Sequence, residues 1–423
     1  MRNRRNTRKR NVVVDTITNK NFIIITLILL VIIIASIVIL KIRNYNDLLA
    51  MQKQAEELER QTGEIFTAME NSLTTATLET TRPTTVKIAA VGDILCQMDM
   101  INDAYSNGIY NFSNMFSEIN KYITNSDIAV GTLETSFTSN NFSGTGKYNS
   151  PIEFLTAVKN SGINMVSLAH NHALDYGGDG LNTTIDKVRE QELSITGIKN
   201  NIENENQEFT GNIKEINGIK IAFLGYTYGL GNEKQLSEEE KSQVSIYSEE
   251  LVTKDLEYAK ENSNYIIVIM HWGNVNDSTI SNQQNNITNF LVNNGVDIIL
   301  GSHPSVVEPM KILQTDEGKN ILVAYSLGNY ISSYKYENAD VELILNIQIA
   351  KAPDSDKAVL QKVDYTPIYV LDNGTKAENR FELTDMKALI RNYANGDTSR
   401  ISKAQYNKLT QKLENLQKIV NSK

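Results

Sequence analysis

Between residues 86 and 332 the chain repeats one pattern: a short apolar run, a few residues rich in Gly, Asn, Asp or His, then a longer polar–apolar stretch. The apolar runs are 87–93, 127–134, 164–170, 220–226, 265–273, 296–303 and 321–331. Four of them (87–93, 164–170, 265–273 and 296–303) are continuously apolar rather than alternating, as expected of strands buried on both faces. Between the runs, 151–161, 180–191, 249–262 and 281–294 have helical length and periodicity. Alternation of this kind predicts an α/β fold. Further on, 341–350 and 358–371 read as strands with no helix between them, and 381–423 reads as a Lys-rich helical tail.

The other strong constraint lies at the N-terminus. Residues 22–40 form a 19-residue run without a charge, close to the ~20 apolar residues that cross a bilayer. A secretory signal peptide usually has a shorter apolar region and a small-residue cleavage site. Here Lys41-Ile42-Arg43 follows directly, so the run reads as an uncleaved anchor. Seven Lys/Arg precede it and two follow closely, which places residues 1–21 in the cytoplasm as a basic tail. Everything after Lys41 is then extracellular: a stalk and Thr-rich linker over 41–85, and a body over 86–380.

Charge and cysteine content narrow the chemistry. The net charge of −9 hides a net of +8 in residues 1–43, so the remainder carries −17. An acidic body argues against nucleic acid as a partner. The single cysteine, Cys96, excludes an intramolecular disulfide framework and a Cys-rich zinc or iron–sulfur site, and reads as a small buried hydrophobe.

All four histidines, His170, His172, His271 and His303, fall at or just past the C-terminal ends of the expected strands. In open α/β sheets this is where ligands bind. Two carboxylates, Asp93 and Glu134, also close apolar runs, where a buried charge is costly unless paired or bound to a cation. With Asn171 they form an oxygen–nitrogen donor set without thiolate, suited to Mn, Fe, Co or Zn. Trp272, which follows His271, and Asn329 are expected to line the same pocket.

The segments VGDILC, GTLETSF, SLAHNHALDYG, HWG, GSHPSVVEP and YSLGNYI stand in the order found in the CapA family. That family is named for capsule poly-γ-glutamate synthesis and is similar to the calcineurin-like metallophosphatases. The resemblance implies a two-sheet sandwich flanked by helices with a metal centre at the strand ends. It implies Asp93, Glu134, Asn171, His271 and His303 as metal ligands, with Glu134 in the bridging position. His172 would be the general acid. Asp175 either orients the His172 imidazole or is only a turn residue.

Two departures from the metallophosphatase pattern fall on the same metal position. Leu95 stands where those enzymes carry a histidine two residues after the first Asp, and Ser305 stands where they end Gly-His-x-His. This predicts one firmly bound divalent ion. His170 either supplies a replacement ligand or lines the pocket. The functional expectation is a membrane-anchored protein of capsule or envelope polymer production, using metal-activated water on a phosphoryl or amide centre. Two alternatives stand beside it. One is a non-catalytic accessory subunit of a membrane polymer synthase, bound to other subunits and to an acidic polymer. The other is an envelope phosphoesterase unrelated to polyglutamate, with a small phosphorylated substrate.

Overall fold

The computed structural model describes residues 31–43, 45–61, 63, 83–199, 206–315, 318–375 and 377–422. The basic tail 1–21 and the first part of the apolar run, 22–30, lie outside the described residues. So does 64–82, most of the Thr-rich linker. Residues 31–43 are helical, and their Val, Ile and Leu side chains are exposed all round the helix. Among the described residues no helix is long and apolar enough to cross a membrane.

Among the described residues, fourteen strands build the two main sheets. The first contains β1 (Thr84–Ile94), β2 (Ile128–Leu133), β3 (Met165–Ser167) and β4 (Ser194–Thr196). The second contains β5 (Asn212–Ile216), β6 (Ile219–Thr227), β7 (Tyr265–His271), β8 (Ile298–Ser302), β9 (Met310–Gln314) and β10 (Asn320–Ala324). The chain then returns to the first sheet with β11 (Asn329–Ile331), β12 (Val341–Lys351), β13 (Ala358–Asp372) and β14 (Phe381–Asp385). The first sheet runs β14-β13-β12-β1-β2-β3-β4, with β11 also paired to β1, and the second runs β9-β10-β8-β7-β6-β5. β1 to β4 are parallel, as are β6, β7, β8 and β10; the remaining pairs among these are antiparallel except β1 with β11.

The sheets pack face to face. Ile88 and Ala90 of β1 and Leu343 and Leu345 of β12 meet Phe223, Ile267 and Leu300 of the second sheet. Helices α1 (Ile152–Asn160) and α2 (Gly177–Glu190) cover the outer face of the first sheet, burying Phe154, Leu155, Leu181 and Val188. Helices α3 (Glu249–Asn262) and α4 (Asn282–Asn293) cover the second with Val252, Leu256, Ile287 and Leu291. The helix starts are written locally: the Ser248 hydroxyl accepts from the Leu251 N–H, and Ser281 with Gln284 forms a capping box. This is the helix-flanked α/β sandwich expected from the motifs.

Three boundaries differ from the sequence reading. The run 321–331 is two strands in different sheets, because the chain turns through Gly328 at φ 78° and crosses from β10 to β11. β1 begins at Thr84, inside the expected linker. The segment 381–423 is not a helical tail outside the domain. Its first five residues are edge strand β14, and α5 (Met386–Ala394) and α6 (Lys403–Val420) bury Leu389, Ile390, Tyr406, Leu409, Leu413 and Leu416 in the main core. The helical residues 45–61 of the stalk dock on these two helices. Ala55 and Leu58 are buried there, the Tyr406 hydroxyl donates to the Met51 carbonyl at 3.2 Å, and Arg391 pairs with Glu59 at 2.6 Å.

Candidate metal centre

The parallel strands of both sheets end on one side of the sandwich, and the chemistry of the chain gathers there. Asp93 is the penultimate residue of β1, and Glu134 immediately follows β2. His170, Asn171 and His172 occupy the turn between β3 and α2. His271 is the last residue of β7, and His303 follows β8. Two glycines allow the backbones to approach so closely. A Cβ at Gly92 would sit 1.8 Å from the Gly328 carbonyl oxygen, and one at Gly301 would sit 1.8 Å from that of Tyr325.

Glu134, His271 and His303 each offer a ligand atom, and these atoms all lie within 4.8 Å of one another. The His271 and His303 ring centroids are 4.6 Å apart. The Asn171 side-chain oxygen is 2.9 Å from His271 Nε2, and Glu134 Oε1 is 3.9 Å from the same nitrogen. On the other edge of that ring, Nδ1 is 3.2 Å from the Ser302 hydroxyl and 3.3 Å from Asp93 Oδ1. Asp93 Oδ2 accepts the His303 backbone N–H at 2.7 Å. His303 adopts φ 100° and Ser305 φ 60°, conformations that non-glycine residues rarely take.

His172 has a different setting. Its Nδ1 is 2.8 Å from Asp175 Oδ2, and its Nε2 is 3.9 Å from Glu134 Oε1. Asp175 also accepts the Tyr148 backbone N–H at 3.2 Å. Asp175 is therefore engaged with the imidazole and is more than a turn residue. The Tyr148 ring stands edge-on to His172 at 4.6 Å, and its hydroxyl bonds that of Tyr334.

Burial sets the protonation states. It is the main cause holding the His271 and His170 imidazoles well below their ordinary pKa, and it lowers His303 to about 3, with the charge of His271 adding to the effect. These rings are neutral near pH 7 and keep a lone pair for a cation. Burial also raises the carboxyls of Glu134 and Asp93, and for Glu134 the negative charges of Asp93 and Asp175 raise it further. Crowded carboxylates among neutral imidazoles are a donor set that a divalent ion would relieve, and two nitrogens with carboxylate and amide oxygen suit a borderline metal. The residues present fit a bound divalent ion.

Other expected members are placed differently. Trp272 does not line the pocket. It lies one residue past β7, is fully buried in the outer core with Val268 and Met270, and its indole N–H donates to the Tyr325 carbonyl at 2.8 Å. The Ser305 hydroxyl turns back to the His303 carbonyl at 3.5 Å. Asn329 is fully buried and in register with Asp93; its amide donates to the Ser332 hydroxyl. His170 is buried with its ring 6.1 Å from that of His271. Leu95 and Cys96 are buried, and burial pushes the Cys96 thiol far up. The aromatic wall that sequence reasoning missed is Tyr228, whose ring is 4.9 Å from that of His303 and nearly parallel to that of His271. Its position just past the 220–226 run was the available signal.

A family description, the bacterial capsule synthesis protein PGA_cap, matches residues 87–334. The chain is 26% identical over 278 residues to the capsule biosynthesis protein CapA of Bacillus anthracis, covering 63% of this chain and 64% of that protein. It is 26% identical over 179 residues to the PGA biosynthesis protein CapA of Bacillus subtilis (strain 168), covering 42% and 45%. The matches thus span less than two thirds of either relative. Similar solved structures include an NAD nucleotidase from Haemophilus influenzae, at 14% identity and TM-score 0.43, covering 79% of this chain and 68% of that one. The calcineurin-like phosphoesterase YfkN from Bacillus subtilis, at 14% identity and TM-score 0.40, covers 81% and 100%. With the match running from β1 through the last strand-end motif, the chain belongs to the bacterial capsule synthesis protein family.

Proposed function

We propose that this protein is anchored in the cell membrane and acts outside the cell in the production of a capsule polymer such as poly-γ-glutamate. We further propose that its strand-end centre hydrolyses or transfers a phosphoryl or amide group. The observation that carries the reading is the convergence of Glu134, His271 and His303 within 4.8 Å, with Asn171 against His271, in a chain of the capsule synthesis family. Those four residues would hold one divalent ion. When bound, such an ion supplies Lewis acidity to the scissile group.

The remaining roles belong to side chains of this protein. With Nδ1 engaged by Asp175, His172 presents Nε2 toward the pocket and is placed to give a proton to a leaving group. Tyr228, 38% exposed, and Tyr148 wall the approach and exclude water from one side. The anchor is supported by the uncharged run 22–40 behind seven Lys/Arg, and by the apolar exposed surface of residues 31–43. Leu95 and Ser305 add no ligands for a second ion, which favours a second reading: an accessory subunit of a polymer synthase that keeps one ion for structure. Turnover decides between them. The full chain in detergent, loaded with Mn(II) or Zn(II), is assayed on phosphoesters and γ-glutamyl amides. Activity lost in His172→Ala supports the enzyme. Bound metal without turnover supports the accessory subunit.

A further inference from the structure

We infer that Asp93 does not ligate the ion but positions both ligating histidines, so that the centre is built for a single ion. The inference rests on the metal reading above and sharpens it.

The two edges of the His271 ring face different groups. Asn171 and Glu134 lie at Nε2, at 2.9 and 3.9 Å. Asp93 and Ser302 lie at Nδ1, at 3.3 and 3.2 Å. An ion shared by Glu134, Asn171 and His303 meets Nε2, which leaves Asp93 behind the ring. The set of donor atoms within 4.8 Å of one another accordingly closes as Glu134, His271 and His303, without Asp93. Ser302 is the hydrogen-bond partner of Nδ1, and Asp93 Oδ1, which makes no hydrogen bond of its own, sets its negative charge 3.3 Å behind the ring. A carboxylate behind a metal-bound imidazole raises the ring's basicity.

The other oxygen of Asp93 holds the second histidine. Oδ2 accepts the His303 N–H at 2.7 Å, and His303 sits at φ 100°. A non-glycine residue persists in such a conformation only when its surroundings hold it there. Asp93 can do so because it is itself immobile. It is fully buried, its N–H donates to Gly328 at 3.1 Å, and Gly92 before it admits no side chain. The Ser302 hydroxyl, 3.1 Å from that of Thr132, completes the support behind His271. Around Asp93, the positions that would complete a second metal site are a buried leucine at 95 and a serine at 305 turned to a backbone carbonyl.

The test is Mn(II) titration of the metal-stripped full chain, read by calorimetry and electron paramagnetic resonance, with Asp93→Asn and Asp93→Ala beside it. The wild type should bind one Mn(II) and give the six-line spectrum of an isolated ion, with no exchange-coupled pair in excess metal. Asp93→Ala should keep a stoichiometry of one with affinity lowered about 10–100-fold. Asp93→Asn, whose amide oxygen can still accept from His303, should recover much of that loss. A coupled pair in the wild type that vanishes in both variants would overturn the inference and leave the metal reading standing. No Mn(II) bound by the wild type, with His271→Ala indistinguishable from it, would sink the metal reading as well.

Discussion

Ending the chain after Arg380 should abolish folding of the whole sandwich rather than trim a tail. Five registered pairs tie Phe381–Asp385 to Ile368–Asp372, and these would leave β13 as a long bare edge. The loss of packing is larger. Leu389, Ile390, Tyr406, Leu409, Leu413 and Leu416 are each 3% exposed or less and belong to the core that lies between the sheets. Burial of a large apolar side chain contributes roughly 1.5–3 kcal/mol, so these six alone amount to about 9–18 kcal/mol. A domain's net stability is only ~5–15 kcal/mol. The same helices carry the docking surface for Ala55 and Leu58 of the stalk, which would be left uncovered. In a denaturant titration followed by circular dichroism, the 1–380 chain should show no cooperative transition. The intermediate perturbation Leu413→Ala should cost about 2–5 kcal/mol. Arg391→Ala should cost about 0–1 kcal/mol, because its ion pair with Glu59 is 51% and 42% exposed. A 1–380 chain that unfolds cooperatively at the midpoint of the full chain would show that residues 381–423 are dispensable to the core.

The Glu308 carboxyl is pushed up to about 8 by burial, against an accepted bond from Gln284 at 2.6 Å. The folded chain therefore keeps a proton that the unfolded chain loses above the ordinary value of 4.5, and stability falls as pH rises from there to about 8. Glu308→Gln should flatten that slope in denaturant midpoints measured across the window, and an unchanged slope contradicts the assignment. His172→Ala should lower any turnover by roughly 10²–10⁴-fold while metal content stays the same; loss of the ion would make His172 a ligand instead. Protease added to wall-stripped cells should digest the chain beyond Lys41 and spare residues 1–21; a protected C-terminal domain would reverse the topology.

What could be read from the chain alone depended on whether the signal was local. The continuous runs at 265–273 and 296–303 announce β7 and β8 because a strand buried on both faces must be apolar throughout. His271 and His303 fall in one site because parallel strands bring their C-terminal ends to one side. The failures are non-local. Nothing within 321–331 says that β10 and β11 join different sheets, since both are apolar and only Gly328 marks the crossing. Residues 381–423 look polar because α5 and α6 bury only one stripe each, and the surface that receives it comes from β12, β13 and the stalk. Trp272 neighbours His271 in the chain, yet just past the end of β7 its side chain packs into the outer core with Val268 and Met270 rather than into the site. The wall at that end of the pocket is Tyr228, supplied by the turn after β6.

An anomalous difference map from crystals of the protein grown with Zn(II), recorded at the zinc edge, locates the ion directly. A single strong peak is expected between Glu134, Asn171, His271 and His303, roughly 2.0–2.2 Å from the imidazole nitrogens, with Asp93 on the far side of His271. No peak at that position, or a peak held elsewhere on the chain, would contradict this placement of the ion.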